Sequence, residues 1–130
     1  MRKSRQVELT EGEWAIMNAV WRLTPCTAPA VQEALVSTRG WSYSTVRTLM
    51  DRMVGKGLLS SEKLRSLTLY RPTVTSEQAQ RGEVLYALTH AFGGALTPMV
   101  QCLLDSRDLD ADELTSLEKL VRERRRKAQS

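Results

Sequence analysis

Residues 41–58 read WSYSTVRTLMDRMVGKGL, and the fold prediction begins from this stretch. Ser42 is a suitable N-cap, and the apolar side chains that follow have the i, i+3, i+4 and i+7 spacing of an amphipathic helix. These apolar residues are Val46, Leu49, Met50 and Met53. Gly55 and Gly57 end the pattern, so the stretch predicts one short helix with a single buried face.

Two further short helices are predicted on the N-terminal side of this stretch. Thr10 and Glu13 have the spacing of a capping box, which marks the start of the first helix, and Pro25 closes that helix. The second helix is predicted to open at Thr27-Ala28-Pro29, where Pro is tolerated in the first turn, and to end at Gly40.

A β-hairpin is predicted on the C-terminal side. Residues 58–63 and 67–72 are short runs rich in Leu, Thr and Tyr, separated by Leu64, Arg65 and Ser66. The turn lacks the Asn-Gly or Asp-Gly pair that most strongly marks a hairpin. Three short helices followed by a hairpin indicate a winged helix-turn-helix, which we predict over residues 1–73 of a mainly α-helical chain.

Residues 74–130 are predicted to form a helical dimerisation domain with a basic C-terminal tail. Ser76 is the expected N-cap of a helix that runs to about Phe92, and Asp110 begins the last helix. These helices are too small to enclose a core by themselves, so their apolar faces need a partner, and an identical chain is the simplest one. The predicted dimer interface consists of Val84, Leu85, Leu88, Phe92, Leu96, Met99, Val100, Leu103, Leu104, Leu114, Leu117, Leu120 and Val121.

One apolar stretch has the length of a membrane span. Residues 84–104 contain no Asp, Glu, Lys or Arg. A segment of this length is long enough to cross a bilayer. Gly93, Gly94 and Pro98 interrupt the stretch, so it is better explained as parts of two short amphipathic helices. The chain is therefore not expected to insert into a membrane.

The composition excludes several classes of protein. The chain has two Cys and one His among 130 residues, and Cys26 and Cys102 form no Cys-x-x-Cys motif. This argues against a disulfide scaffold, a zinc module and a catalytic triad, so no enzyme, metal site or cofactor is predicted. No apolar segment follows the first residues, so no signal peptide is expected and the predicted location is the cytoplasm.

Charge is distributed unevenly along the chain. Residues 1–73 hold 11 Lys and Arg against 6 Asp and Glu, a net charge of +5. Residues 74–118 hold 2 against 8, a net charge of −6. A basic first part followed by an acidic second part indicates that only the first part meets a polyanion.

The exposed face of the central helix is rich in hydroxyl groups and arginine. In helix-turn-helix proteins the N-terminal end of the second helix meets base edges, and an arginine such as Arg47 can bind guanine O6 and N7. An ordinary solvated face would have the same composition, but the hairpin and the basic first part favour DNA. Asp51 either pairs with Arg47 or accepts a hydrogen bond from cytosine N4, and the sequence leaves both roles open.

Basic residues of the hairpin are candidates for phosphate contacts. Lys63, Arg65 and Arg71 either reach phosphates beside the groove or act as edge-strand charges that block aggregation, and the two roles are compatible. A further basic group at the N-terminus is either a phosphate-contacting arm or a disordered start. Its members are Arg2, Lys3 and Arg5.

These residues resemble the penicillinase-repressor family (BlaI/MecI/CopY). Residues 41–58 are similar to the family signature W-S-x-x-T-V-x-T-L-L-x-R-L-x-x-K-G-L, residues 9–21 look like its opening, and residues 70–72 resemble the close of its wing. The resemblance implies a homodimeric transcriptional repressor that holds a pseudo-palindromic, double-stranded operator of β-lactamase, methicillin-resistance or copper-homeostasis genes. The predicted DNA-binding residues are then Ser42, Tyr43, Ser44, Thr45, Arg47, Thr48, Arg52, Lys56, Lys63, Arg65 and Arg71.

The resemblance also implies a route of induction. In the β-lactam branch of the family a membrane sensor protease triggers cleavage of an Asn-Phe bond in the dimerisation region. That bond aligns here with Gln101-Cys102, which departs from the family pattern. The copper branch has Cys-x-Cys pairs late in the chain, and this sequence has none, so direct copper sensing is not expected.

Two other functions are compatible with the sequence. A winged-helix protein-interaction module would keep its partner after Arg47→Ala and Thr48→Ala and would prefer no DNA sequence. A ligand- or metal-responsive regulator would depend on His90 and Cys102.

Overall fold

The computed structural model describes residues 7–130, which form a mainly helical chain with a two-stranded antiparallel hairpin. In chain order the elements are α1 (Glu11–Leu23), α2 (Ala28–Arg39), α3 (Tyr43–Gly55), β1 (Leu59–Leu64), β2 (Leu67–Pro72), α4 (Ser76–Phe92), α5 (Leu96–Ser106) and α6 (Ala111–Ala128). This order confirms the predicted winged helix-turn-helix followed by helices. The predicted arm of Arg2, Lys3 and Arg5 lies outside the described residues.

Side-chain caps begin the first three helices, and those of Thr10 and Ser42 were predicted. The Thr10 hydroxyl accepts a hydrogen bond from the Glu13 N–H at 3.1 Å, and the Glu13 carboxylate accepts one from the Thr10 N–H at 2.9 Å. The hydroxyls of Thr27 and Ser42 likewise accept from backbone N–H groups three residues later, at the starts of α2 and α3. Each cap satisfies an N–H group that has no partner within its own helix.

The core lies where α1, α2, α3 and the hairpin meet. Its largest fully buried side chains are Ile16, Met17, Val20, Val31, Val46, Met50, Met53, Leu59 and Tyr70. Three of the four apolar residues predicted for α3 are among them, and Leu49 is partly buried at the edge of the core. Burial of each such side chain contributes about 1.5–3 kcal/mol, so α3 is held firmly with its opposite face in solvent.

The hairpin is the wing, and its turn is one residue shorter than predicted. Leu64 pairs with Leu67 at the end of the ladder, so Arg65 and Ser66 alone make the turn. The placement of Leu64 in the turn was wrong, because without Asn-Gly or Asp-Gly the sequence does not mark which two residues turn. Arg65 has a φ of 58°, the left-handed conformation that Asn or Gly usually supplies in two-residue hairpin turns.

The base of the wing is attached to the loop between α1 and α2. The Cys26 N–H donates to the Tyr70 carbonyl at 3.1 Å, and the Tyr70 N–H donates to the Cys26 carbonyl at 2.7 Å. The Tyr70 ring is fully buried in the core. This pair of backbone bonds and the buried ring fix the base of the wing against the helices.

The N-cap of α4 is Thr75, so the prediction of Ser76 was wrong. The Thr75 hydroxyl accepts from the Gln78 N–H at 3.0 Å, and the Gln78 side chain accepts from the Thr75 N–H at 2.8 Å. This is a capping box, which requires Glu or Gln three residues after the cap. Ser76 has Ala79 at that position and is itself the first helical residue.

The chain divides into two compact units, Met1–Ala87 and Leu88–Ser130, called the first and second unit below. The first unit extends beyond the domain boundary predicted after residue 73, because the first turns of α4 pack within it. Ala79 is buried, and a Cβ added to Gly82 would lie 1.7 Å from the Val7 carbonyl oxygen. The assignment of DNA binding and dimerisation to separate domains stays a prediction.

The second unit contains the end of α4 together with α5 and α6. Gly93 and Gly94 have φ values of 57° and 86° and separate α4 from α5, which confirms the predicted break. Asp110 caps α6 by accepting from the Glu113 N–H at 2.8 Å, as predicted. Among residues 7–130 no helix combines the length and the apolar character needed to cross a bilayer.

Candidate nucleic-acid interface

The exposed face of α3 carries most of the residues predicted to meet DNA. Val46, Met50 and Met53 hold the opposite face in the core. The exposed residues are Ser42, Tyr43, Ser44, Thr45, Thr48 and Arg52. Arg47 lies among them and is partly exposed. The fold therefore presents short hydroxyl side chains and two arginines to solvent on one face of a rigidly packed helix.

Arg47 is held by two side chains of its own helix. Its Nε donates to both oxygens of the Asp51 carboxylate, at 3.1 and 3.3 Å, and its Nη1 donates to the Tyr43 hydroxyl at 3.2 Å. The hydrogen bond with Tyr43 and the nearby Asp51 carboxylate raise the pKa of Arg47, so the guanidinium stays charged. Of the two roles that the sequence left open for Asp51, the pairing with Arg47 is confirmed.

A further contact joins Asp51 to the wing. The Tyr70 hydroxyl donates to Asp51 Oδ1 at 2.8 Å. Burial of the ring and the neighbouring carboxylate raise the pKa of Tyr70 to about 12, so the phenol remains a hydrogen-bond donor at neutral pH. Tyr43, Arg47, Asp51 and Tyr70 thus form a continuous hydrogen-bonded chain, which we call the Arg47 network.

Lys56, at the end of α3, pairs with Glu13 of α1. Glu13 is only 6% exposed and also caps α1. Burial alone would raise the pKa of Glu13, but the hydrogen bonds from Lys56 and Thr10 outweigh burial, and the pKa is lowered. Lys56, predicted as a DNA contact, therefore also ties the end of α3 to the start of α1.

The basic side chains of the wing differ in their surroundings. Arg71 Nη1 donates to Glu62 Oε1 across the hairpin at 2.9 Å. Lys63 and Arg65 are exposed, and neither forms an ion pair within residues 7–130. The tip of the wing thus presents two positive charges to solvent, whereas the charge of Arg71 is already compensated.

Tyr70 and Glu13 are the site residues that sequence reasoning missed. Glu13 was expected only as a helix cap, and Tyr70 only as part of the wing. Their contacts with Asp51 and Lys56 join positions 19 and 43 residues apart, which no local pattern reports. The available signal for Tyr70 was that it is the single aromatic residue of the two hairpin strands.

The predicted dimer-interface residues lie on α4, α5 and α6. Leu88, Phe92 and Met99 are half-buried. The others are exposed, namely Val84, Leu85, Leu96, Val100, Leu103, Leu104, Leu114, Leu117, Leu120 and Val121. Neither α5 nor α6 contains a buried residue. In the second unit, apolar side chains of α5 and α6 line an open groove.

The remaining predicted residues lie outside these two surfaces. Gln101 and Cys102 are exposed within α5, where the Gln101 amide donates to the Asp105 carboxylate at 3.2 Å. Cys26 and Cys102 are free thiols, and burial raises the pKa of Cys26. Within residues 7–130 no three His, Cys, Asp or Glu side chains are grouped so as to hold a metal ion.

Several known proteins are similar to this chain. The sequence profile named penicillinase repressor matches residues 9–123. The methicillin resistance regulatory protein MecI of Mammaliicoccus sciuri is 24% identical over 118 residues, which are 91% of this chain and 96% of that protein. The penicillinase repressor of Bacillus licheniformis is 23% identical over 116 residues, 89% and 91% of the two chains. The solution structure of the DNA-binding domain of the repressor BlaI covers 60% of this chain and 93% of that domain, with a TM-score of 0.49 and 26% identity.

Proposed function

The chain belongs to the penicillinase repressor family, and from this membership and the geometry of α3 we propose that it is a homodimeric, sequence-specific repressor that binds a pseudo-palindromic operator. The family is one of transcriptional repressors and not of enzymes. The observation that carries the proposal is the outward face of α3, which a buried apolar stripe holds in place. Because the target is DNA, we place the repressor in the cytoplasm.

The reading of DNA is assigned to the N-terminal part of α3. Ser44, Thr45 and Thr48 are short enough to let the helix approach base edges in the major groove, and Arg47 can donate two hydrogen bonds to one guanine. Lys63 and Arg65 at the wing tip would neutralise phosphates beside the groove, which adds affinity without sequence preference. The protein–DNA contacts thus divide into base readers on α3 and phosphate contacts on the wing.

Dimerisation is assigned to the exposed apolar residues of α5 and α6. Leu103 and Leu117 are 56% and 39% exposed, and neither helix has a buried residue, so folding of one chain leaves this apolar surface in water. A second copy would cover it and bring two α3 helices to half-sites about 34 Å apart, one turn of DNA. Each half then strengthens the binding of the other.

Induction follows from the same arrangement, because any event that separates the two copies removes the gain from paired half-sites. Cleavage near Gln101-Cys102 by a membrane sensor protease is one such event, and both residues are exposed on α5. We assign the regulated genes to β-lactam resistance, since regulators of methicillin resistance and of penicillinase are among the relatives.

Binding of the purified chain to genomic fragments, its own promoter included, tests the proposal across a series of salt concentrations. We expect selective retention of a few fragments and a steep loss of affinity with salt. Arg47→Ala should abolish the selectivity while leaving the weak binding to other fragments in place. Glu33→Gln, an exposed change on α2 away from α3, is the control and should bind like the unaltered chain.

The opposite result would favour an interaction module. Weak binding to all fragments at every salt concentration, unaffected by Arg47→Ala, would contradict the assignment of α3 as a DNA reader. Binding that changes when copper or zinc is added would instead favour a metal-responsive regulator.

A further inference from the structure

Asp51 is an unexpected residue on a surface that meets DNA. Its side chain is 54% exposed on the same face of α3 as Arg47, where the carboxylate would repel phosphate groups. Both of its oxygens accept hydrogen bonds within the protein, Oδ1 from Tyr70 and Arg47 and Oδ2 from Arg47. The carboxylate is therefore engaged on its protein side by two donors from different elements.

The two donors to Asp51 belong to different elements. Tyr70 belongs to the wing, its ring is fully buried, and its backbone is bonded to Cys26, so its hydroxyl has a fixed position. Arg47 lies one turn before Asp51 on α3 and is 40% exposed. The position of the Asp51 carboxylate is thus set by the base of the wing, and the orientation of Arg47 is set by Asp51.

The bonds to Asp51 and Tyr43 limit which N–H groups of Arg47 remain for a further partner. Arginine has five N–H groups, and these two partners use the one on Nε and one on Nη1. Three N–H groups remain, two on Nη2 and one on Nη1, and one from each nitrogen can donate side by side to O6 and N7 of guanine. Tyr43, Arg47 and Asp51 occupy three unspecified positions of the family signature, so family membership alone does not predict this network.

We propose that Asp51 is a positioning residue, which holds Arg47 end-on for a guanine and, through Tyr70, links the choice of that base to the wing. The inference rests on the proposed function, since it requires Arg47 to meet a base. In this account the carboxylate improves discrimination between sequences and weakens binding to DNA in general. The two effects have opposite signs. A purely structural role would instead change the affinities for all DNA sequences in the same direction.

The test measures the affinity of the full chain for its operator and for a scrambled duplex of the same length. The ratio of the two affinities is the discrimination. Asp51→Asn keeps an acceptor for Tyr70 but loses the charge that holds Arg47, and Asp51→Ala removes both. We expect either variant to lower the discrimination roughly tenfold, the order of one bidentate base contact, while affinity for the scrambled duplex stays equal or rises. Tyr70→Phe should act in the same direction and by less.

Two controls isolate the proposed link. Glu62→Gln removes one negative charge from the ion pair with Arg71, whose two side chains are exposed to about the same extent as Arg47 and Asp51. It should change both affinities by the same factor and leave the discrimination unaltered. In a chain that already has Arg47→Ala, adding Asp51→Asn should cause no further loss of discrimination, because the positioned side chain is absent.

Three outcomes would overturn the inference. If Asp51→Asn keeps full discrimination while Arg47→Ala loses it, Asp51 does not position Arg47. If Asp51→Asn lowers discrimination equally with and without Arg47, Asp51 reads a base itself, as an acceptor for cytosine N4 would. If the unaltered chain does not discriminate between the operator and the scrambled duplex, the proposed function itself is wrong. This result is obtained before any variant is made, so it is distinct from a failure of the Asp51 variants.

Discussion

The first unit has a core of fully buried apolar side chains, whereas α5 and α6 of the second unit contain no buried residue. Ile16, Val46 and Met50 are fully buried, while Leu103 and Leu120 are 56% and 63% exposed. The first unit also buries a charged side chain, Glu13, which pairs with the exposed Lys56. From this difference we propose that the apolar side chains of α5 and α6 pack against another surface, that of a second copy.

The same difference separates two tasks. A unit with its own core can hold α3 in one orientation, which reading base edges requires. A unit whose apolar surface needs a partner makes its stability depend on protein concentration. We therefore propose that the recognition of a DNA sequence and the control of operator occupancy belong to different parts of one short chain.

The largest expected effect comes from removing a core side chain of the first unit. Met50→Ala should lower the free energy of unfolding by about 2–5 kcal/mol, because it deletes fully buried atoms and leaves a cavity. The loss should not depend on protein concentration. Leu120→Ala, an exposed change on α6, should alter stability only where chains associate. Thermal unfolding over about a hundredfold range of protein concentration measures both. If both variants lost the same free energy of unfolding at every protein concentration, the proposed difference between the core of the first unit and the surface of α6 would be contradicted.

The next effect concerns association of the second unit. Leu103→Glu combined with Leu117→Glu places two charges on the apolar surface of α5 and α6, so we expect a monomer in sedimentation. Operator affinity should fall at least about a hundredfold, since each half-site is then bound alone. The unfolding temperature of the first unit should not change. Thr115→Glu, on the side of α6 away from the leucines, is the matched control and should remain dimeric. A monomer that binds operator like the unaltered chain would refute the dimer proposal.

Local signals were sufficient to predict the starts and ends of most elements. Thr10, Thr27 and Ser42 cap the helices that follow them, because a cap and its N–H partner lie three residues apart and the sequence contains both. The error at α4 was avoidable by the same logic. Thr75 has Gln78 three residues later and completes a capping box, which Ser76 cannot do.

The links between elements could not be predicted in this way. Asp51 is joined to Tyr70, and Lys56 to Glu13, only after folding brings separate elements together. The sequence indicated that Asp51 could pair with Arg47, four residues earlier on the same helix, because that contact is local. Which face of α3 is exposed was therefore predictable, whereas the contacts that hold its arginine were not.

A smaller effect concerns the ion pair between the buried Glu13 and the exposed Lys56. Glu13→Gln keeps an acceptor for the Thr10 N–H but loses the attraction to Lys56, so it should reduce stability at neutral pH by about 1–2 kcal/mol. The folded-state pKa of Glu13 is lowered below 4.5, so the stabilisation is present above that pH and is lost as the pH falls through the lowered pKa. The gap between Glu13→Gln and the unaltered chain should accordingly narrow in acid.

Urea unfolding at a series of pH values measures this gap. Glu11→Gln is the control, because Glu11 lies in the same turn of α1 but is 88% exposed and its oxygen is 3.8 Å from Arg39. It should change stability by less than about 0.5 kcal/mol. A gap for Glu13→Gln that stays constant from neutral to acidic pH would show that the ion pair contributes nothing.

The smallest effect distinguishes the basic residues of the two units. Lys63→Ala at the wing should weaken binding to all DNA sequences alike and lower the slope of log affinity against log salt by about one. Arg124→Ala, an exposed change in the basic end of α6, should leave the slope unaltered. Salt titrations of both variants against one operator fragment measure the slopes. Equal reductions would place the end of α6 on DNA as well and remove the division between the units.

Selection of bound sequences from a pool of random duplex DNA, carried out with the full chain, tests the central claim most directly. If α3 reads DNA and α5 and α6 join two copies, the selected sequences contain an inverted repeat whose halves are about one helical turn apart. The repeat should include a guanine in each half that is no longer selected by Arg47→Ala. Recovery of single, unrepeated sites would contradict the dimer, and recovery of no common sequence would contradict the reading of DNA by α3.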